Sequence, residues 1–144
     1  MYLKDIYQCD IEGMELAYDL LAERPKENWI SHNKMPSFAE HVRFMDSKPF
    51  RYWYVIILDN GEMVGTIECL PTNEFGIHIL KQYHRNGYGT EAVRLFLATH
   101  EPLPAIPAVR NGRWLSNMTP DNRASKEFFN KLGFRPLQET WVKE

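Results

Sequence analysis

A chain of 144 residues can bury one core and is short for two, so a single domain spanning residues 1–144 is expected. Seventeen Lys and Arg against nineteen Asp and Glu leave a net charge of −2, which excludes a global pull towards nucleic acid or an anionic membrane. The two cysteines, Cys9 and Cys69, have neither metal-ligand nor redox spacing, and no metal site is expected.

The opening MYLKDIYQCD shows no signal-peptide pattern, and no apolar run approaches the length of about eighteen residues that a membrane span requires. A cytoplasmic location is the resulting expectation. Residues 2–8 read as a short first strand. In residues 12–25, Met14, Ala17, Tyr18 and Leu21 recur at helical spacing, and Pro25 marks the stop. A second helix begins at Ser37, which with Glu40 forms a capping-box pattern. Its apolar stripe reads Phe38, Val42 and Met45, with His41 beside the stripe.

Residues 51–59 are dense in β-branched and aromatic types, and Asn60-Gly61 separates them from a second such run, 62–70. Both turn residues tolerate positive φ, so the pair predicts a hairpin. The cluster PTNE leads into a further strand, 75–80, and a helix follows with Ala92, Val93, Phe96 and Leu97 on one face. After the proline-rich connection 101–112, a strand over 113–118 precedes a helix over 122–132, with Gly133 as its C-cap and a last strand over 134–143. The order β-α-α-β-β-β-α-β-α-β predicts an α/β fold, a mixed sheet with helices on its faces.

Gly87 and Gly89 stand where the third strand's loop enters a helix. A plain tight turn explains them. So does a phosphate cradle, because the first amides of a helix lack internal partners and the macrodipole adds positive charge there. The pattern is neither the dinucleotide fingerprint nor a P-loop.

The span from Ile77 through HRNGYGTEAV nevertheless resembles the acyl-CoA signature of the GNAT superfamily of acetyltransferases. The later run from Asn122 through Lys131-Leu132-Gly133-Phe134 is similar to that superfamily's second motif. The resemblance implies a GNAT-like fold with acetyl-CoA as co-substrate. It implies that Ile77, Ile79 and Leu80 offer backbone groups to the pantetheine arm. His84, Arg85, Asn86, Gly87, Tyr88, Gly89 and Thr90 would face the pyrophosphate. Asn122 would hold the pantetheine or the strand-to-helix turn, Phe129 would pack near the thioester, and Lys131 would meet the nucleotide end. His84 replaces the family's Gln or Arg, Phe129 its frequent tyrosine acid, and Asn117 occupies a slot where some members place a glutamate base.

With those slots empty, the bases open to the chain are Glu68, Glu74 and His78, and Asn117 is retained as a catalytic-site position. Glu68 lies among Ile67, Cys69 and Leu70, where a carboxylate is costly unless paired or functional; a satisfied structural carboxylate is the bland alternative. His78 alternates with Ile77 and Ile79 and so faces away from them, as a packed or surface histidine also would. Tyr52, Trp53 and Tyr54 either line an acceptor pocket or fill the core. The expected activity is transfer of acetyl to a primary amine of a small molecule, an amino sugar or amino-acid-like acceptor. Its rivals are a protein or peptide N-terminal acetyltransferase and a non-catalytic CoA-binding protein. The 101–112 connection is expected to shape the acceptor site or an oligomer contact, which leaves a homodimer open.

Overall fold

The computed structural model describes residues 1–30 and 33–144. Four strands form one sheet in the order β1 (Tyr2–Asp5), β2 (Tyr52–Ile57), β3 (Met63–Cys69) and β4 (Phe75–Ile79). Among the described residues four α-helices accompany it: α1 (Asp10–Glu23), α2 (Phe38–Asp46), α3 (Tyr88–Thr99) and α4 (Arg123–Lys131). Every pairing within the sheet is antiparallel. The β2–β3 hairpin turns at the expected place, with Gly61 at φ 88° and the Gly61 N–H donating to Leu58 O at 2.9 Å.

Alternation along the strands divides the core into two layers. Trp53, Val55 and Ile57 pack with Leu16, Ala17 and Leu20 of α1 and Met45 of α2. On the other face Ile56, Ile67, Cys69 and Phe75 meet Ala92, Val93 and Phe96 of α3 and Phe129 of α4. Tyr52 and Tyr54 lie half-buried in this second layer, and Trp53 belongs to the first. Of the aromatic triplet, Trp53 is core, and Tyr52 and Tyr54 pack at its margin.

Three sequence expectations are corrected. His41 is buried at 5% exposure, tilted against Tyr18 and edge-on to Trp53, so the inward face of α2 runs through His41 and Met45 rather than through Phe38 and Val42. The capping box at Ser37 is present and sets this phase, with Ser37 Oγ accepting the Glu40 N–H. Residues 113–118 form no strand. They make a single parallel bridge, in which the Leu115 N–H donates to Asn73 O and the Phe75 N–H to Leu115 O, and then diverge from β4. Ser116 and Asn117 add little strand propensity to continue it. The tail after Phe134 is exposed and unpaired among the described residues, because the strand it would have joined is missing and Pro136 removes a ladder donor. The sheet is accordingly antiparallel, not mixed.

Buried Asn73 organises this end of the sheet. Its backbone sits in the left-handed region at φ 69°. Its side chain donates to Leu103 O and Asn111 O, at 2.8 and 2.7 Å, and accepts from the Leu103 N–H at 2.7 Å. The proline-rich connection is thereby fastened to the entry of β4.

Candidate active site

The divergence after Leu115 leaves one edge of β4 open. The Leu80 N–H bonds to Val64 O and the Leu70 N–H to Glu74 O, so residues 74, 76, 78 and 80 turn their backbone groups towards β3. Residues 75, 77 and 79 turn theirs outward. Phe75 is taken by Leu115, and Ile79 O accepts a hydrogen bond from His84 Nε2 at 2.8 Å. Ile77 N–H and C=O and the Ile79 N–H have no strand partner among the described residues. Leu80, in contrast, gives its N–H to Val64 and its carbonyl to the Tyr83 N–H, so its backbone is already committed.

This open edge runs towards the N-terminus of α3. Arg85 and Gly87 both adopt left-handed backbone, at φ 64° and 78°, and no side chain caps the helix. Asn86 instead braces the loop, donating through Nδ2 to Tyr83 O and His84 O. The first internal bond of the helix is the Glu91 N–H to Gly87 O, which leaves the amides of Tyr88, Gly89 and Thr90 as donors for an anion. The glycines have different tasks. A Cβ on Gly87 would meet open space, and its requirement is the positive φ. A Cβ on Gly89 would come within 3.3 Å of the Phe128 ring, so the missing side chain lets α3 pack closely on α4. His84 commits Nε2 to Ile79 O, anchoring the loop.

On the α1–α2 face of the same strands, Glu68 and His78 meet. Thr66 pairs with His78 and Glu68 with Gly76, which places the two side chains diagonally on one face. His78 Nε2 lies 2.6 Å from Glu68 Oε1, with the side chains 27% and 16% exposed. Gly76 makes the room: a Cβ there would stand 2.8 Å from Glu68 Oε1 and 3.3 Å from His78 Nε2. Arg24, at the end of α1, brings Nη2 over the His78 ring, 2.7 Å from Nε2 and 3.1 Å from Nδ1. Its carbonyl accepts from Trp29 Nε1 at 3.2 Å. The turn Lys26–Asn28 then reaches the diverging segment, where Thr119 Oγ1 is 3.4 Å from Asn28 Oδ1.

The remaining expected residues lie elsewhere. Asn122 is the N-cap of α4, its Oδ1 accepting the Ser125 N–H at 3.1 Å, so of its two expected tasks it performs the turn. Phe129 is 6% exposed and packs against Phe75, Phe128 and Phe134. Lys131 is exposed in the last turn of α4, and Asn117 is exposed on the diverging segment. Glu74 sits at the Leu115 bridge and accepts from Thr72 Oγ1 at 3.2 Å. Cys69 is no nucleophile: it is fully buried, and burial pushes its thiol up to about 11. Arg24 and Gly76 carry no motif, and the sequence reading missed both. An arginine closing a helix and a glycine inside a strand were the available signals.

The family profile described as Acetyltransferase (GNAT) domain matches residues 7–135. The chain belongs to the GNAT family of acetyltransferases. Among solved structures, this GNAT chain is similar to an acetyltransferase from Thermus thermophilus, at 19% identity and TM-score 0.68, over 96% of this chain and 88% of that one. It is similar to the aminoglycoside antibiotic 6'-N-acetyltransferase of Acinetobacter haemolyticus, at 17% identity and TM-score 0.65, over 100% and 97% of the two chains. The corresponding enzyme of Acinetobacter baumannii follows at 18% identity and TM-score 0.59, over 99% and 95%. Among curated proteins no sequence match is significant. In this GNAT chain no described helix is long and apolar enough to cross a membrane. Among the described residues, no three His, Cys, Asp or Glu side chains gather as metal ligands.

Proposed function

We propose that this GNAT acetyltransferase uses acetyl-CoA to acetylate a primary amine of a small molecule, an amino sugar or amino-acid-like acceptor, by direct transfer. One observation carries the reading: the Glu68–His78 pair, at 2.6 Å, stands on the two strands whose free edge at Ile77 leads to the open amides of α3. The Ile77 backbone and the Ile79 N–H would hold the pantetheine arm. The Tyr88, Gly89 and Thr90 amides, beside exposed Arg85, would hold the pyrophosphate. The co-substrate supplies an acetyl group activated as a thioester.

An aliphatic amine has a pKa near about 10.4 and must lose a proton to attack. Glu68, oriented by His78, is the group to receive it. The new C–N bond forms as the C–S bond breaks, and the electron pair leaves with sulfur. A thiol with a pKa of about 8.5, by analogy with cysteine, needs little help in departing. General-base assistance contributes about 10²–10⁴-fold, and holding the two reactants together contributes about 7–11 kcal/mol. The aminoglycoside acetyltransferases among the similar structures support a small amine over a protein N-terminus.

The experiment combines an amine panel, read by thiol release, with Glu68→Gln. The variant should lose about a hundredfold or more in kcat/KM and keep its acetyl-CoA-induced rise in Tm. Equal activity in variant and parent would reduce Glu68 to a structural carboxylate. Acetyl-CoA binding with no thiol release for any amine would favour a non-catalytic CoA-binding protein.

A further inference from the structure

Arg24 belongs to no GNAT motif, yet its side chain crosses from the end of α1 to the Glu68–His78 pair. Its backbone leaves helical geometry one residue before Pro25, at φ −66° and ψ 128°. Nη2 lies over the face of the His78 ring, 2.7 Å from Nε2 and 3.1 Å from Nδ1. A contact with the ring face uses no acceptor lone pair, and a guanidinium has only donors to offer.

The guanidinium is therefore a cation with no ion-pair partner. Among the described residues no carboxylate comes within ion-pairing distance of it, and its Nε is buried without a hydrogen bond. The acids of the adjoining elements are engaged or exposed. Glu68 gives Oε1 to His78 at 2.6 Å, Glu23 accepts the Lys81 N–H at 2.9 Å, and Glu27 faces solvent. Burial lowers the Arg24 pKa, and the charge of Glu68 acts the other way, yet an arginine stays charged throughout the working range. Withdrawing such a charge from water is costly unless an anion meets it. Glu68 has the converse deficit, since its Oε2 is buried and lacks a donor.

Resting on the acetyltransferase reading above, we infer that the acceptor is a free α-amino acid, whose carboxylate is held by Arg24 while its amine meets Glu68. Arg24 and Glu68 reach the same atom, His78 Nε2, so the cation and the anion stand on either side of one ring nitrogen. An α-amino acid carries its own two charges a single carbon apart, in the complementary sense. The planar fork of a guanidinium also matches a carboxylate. An amino sugar brings ammonium groups and no anion, and Arg24 would repel them. A peptide or protein N-terminus has an amide where the carboxylate should be and leaves Arg24 unpaired. Arg24 is thus a specificity-determining residue, and Glu68 keeps the task of receiving the amine proton.

The test uses the full chain with acetyl-CoA, thiol release as the readout, and a panel of the common α-amino acids, their carboxamides and an aminoglycoside. For the amino acid turned over fastest, the parent should show a kcat/KM about ten- to a hundredfold above that for its carboxamide, the range of one hydrogen bond to a charged group. The amine of the carboxamide loses its proton more readily, so a preference for the acid cannot come from deprotonation. Arg24→Met should raise the KM for the amino acid and bring the acid-to-amide ratio to within about threefold of unity. Arg24→Lys, which keeps the charge and loses the fork, should retain part of the preference.

A parent that acetylates carboxamides as well as acids, or the aminoglycoside better than either, would overturn the proposal. So would an Arg24→Met variant that lowers acid and amide equally, which is what a merely structural arginine would do. The ratio in the parent requires no variant, so it decides the matter if Arg24→Met fails to fold. If the parent releases thiol for no amine, the acetyltransferase reading falls. Calorimetric titration of the CoA-loaded protein with the same acids and carboxamides then decides the carboxylate site by itself: binding of the acids alone supports it, and binding of both alike or of neither overturns it.

Discussion

Gly76→Ala probes the Glu68–His78 pair without touching either ionisable group. The added methyl would lie 2.8 Å from Glu68 Oε1, closer than a Cβ stands to any atom in an ordinary fold, and 3.3 Å from His78 Nε2. Gly76 has no positive φ, so the backbone accepts alanine and the collision falls on the two side chains. Glu68 must swing away, and the 2.6 Å bond to His78 breaks. A hydrogen bond to a charged group is worth about 1.5–3 kcal/mol. If the orientation it provides is used in the transition state, the loss in kcat/KM is about ten- to a hundredfold. Thermal unfolding should move little, because alanine in a compatible strand position recovers about 0.4–1 kcal/mol through the unfolded chain. The assay is steady-state thiol release over a range of amine concentrations, alongside the acetyl-CoA-induced shift in Tm, which should match that of the parent. Activity within about threefold of the parent, less than the loss of one such bond predicts, would refute the coupling between Glu68 and His78. A lost acetyl-CoA shift would place Gly76 in the CoA site instead.

Gly87→Val should abolish most of the acetyl-CoA-induced rise in Tm, because a β-branched residue at φ 78° closes the loop that opens α3; a full shift would remove the amide cradle. Phe129→Tyr should change kcat by less than about tenfold, since the ring packs between Phe75 and Phe134 and a thiolate leaves without an acid. A hundredfold gain would show that a missing acid limits the reaction. Asn73→Ala should destabilise the fold by about 2–5 kcal/mol in denaturant titration, through lost bonds to the 101–112 connection and alanine forced to positive φ. It should also speed proteolysis of that connection. A change below about 0.5 kcal/mol would mean that Asn73 does not fasten it.

Where physics is local, the residues specify the structure by themselves. The Ser37–Glu40 capping box and the Asn60-Gly61 hairpin each follow from a few neighbouring residues, and each is found where the sequence places it. The two GNAT motifs are local in the same sense and identify the family. The phase of α2 is not: its shorter apolar stripe left His41 outside, whereas packing against Tyr18 and Trp53 brings it in. Strand propensity also overstated residues 113–118 and 134–143, because a strand exists only where another backbone accepts its hydrogen bonds, and the chain diverges from β4 after Leu115. That divergence is what opens the edge at Ile77. The Glu68–His78 cluster lies furthest from local reading. Glu68 and His78 were visible as polar residues in apolar strands, but their meeting depends on the β3–β4 register, on the missing side chain of Gly76, and on an arginine 54 positions before His78. Register and helix-end direction are set by the packing of the whole core, so only the tertiary structure could bring these residues to one place.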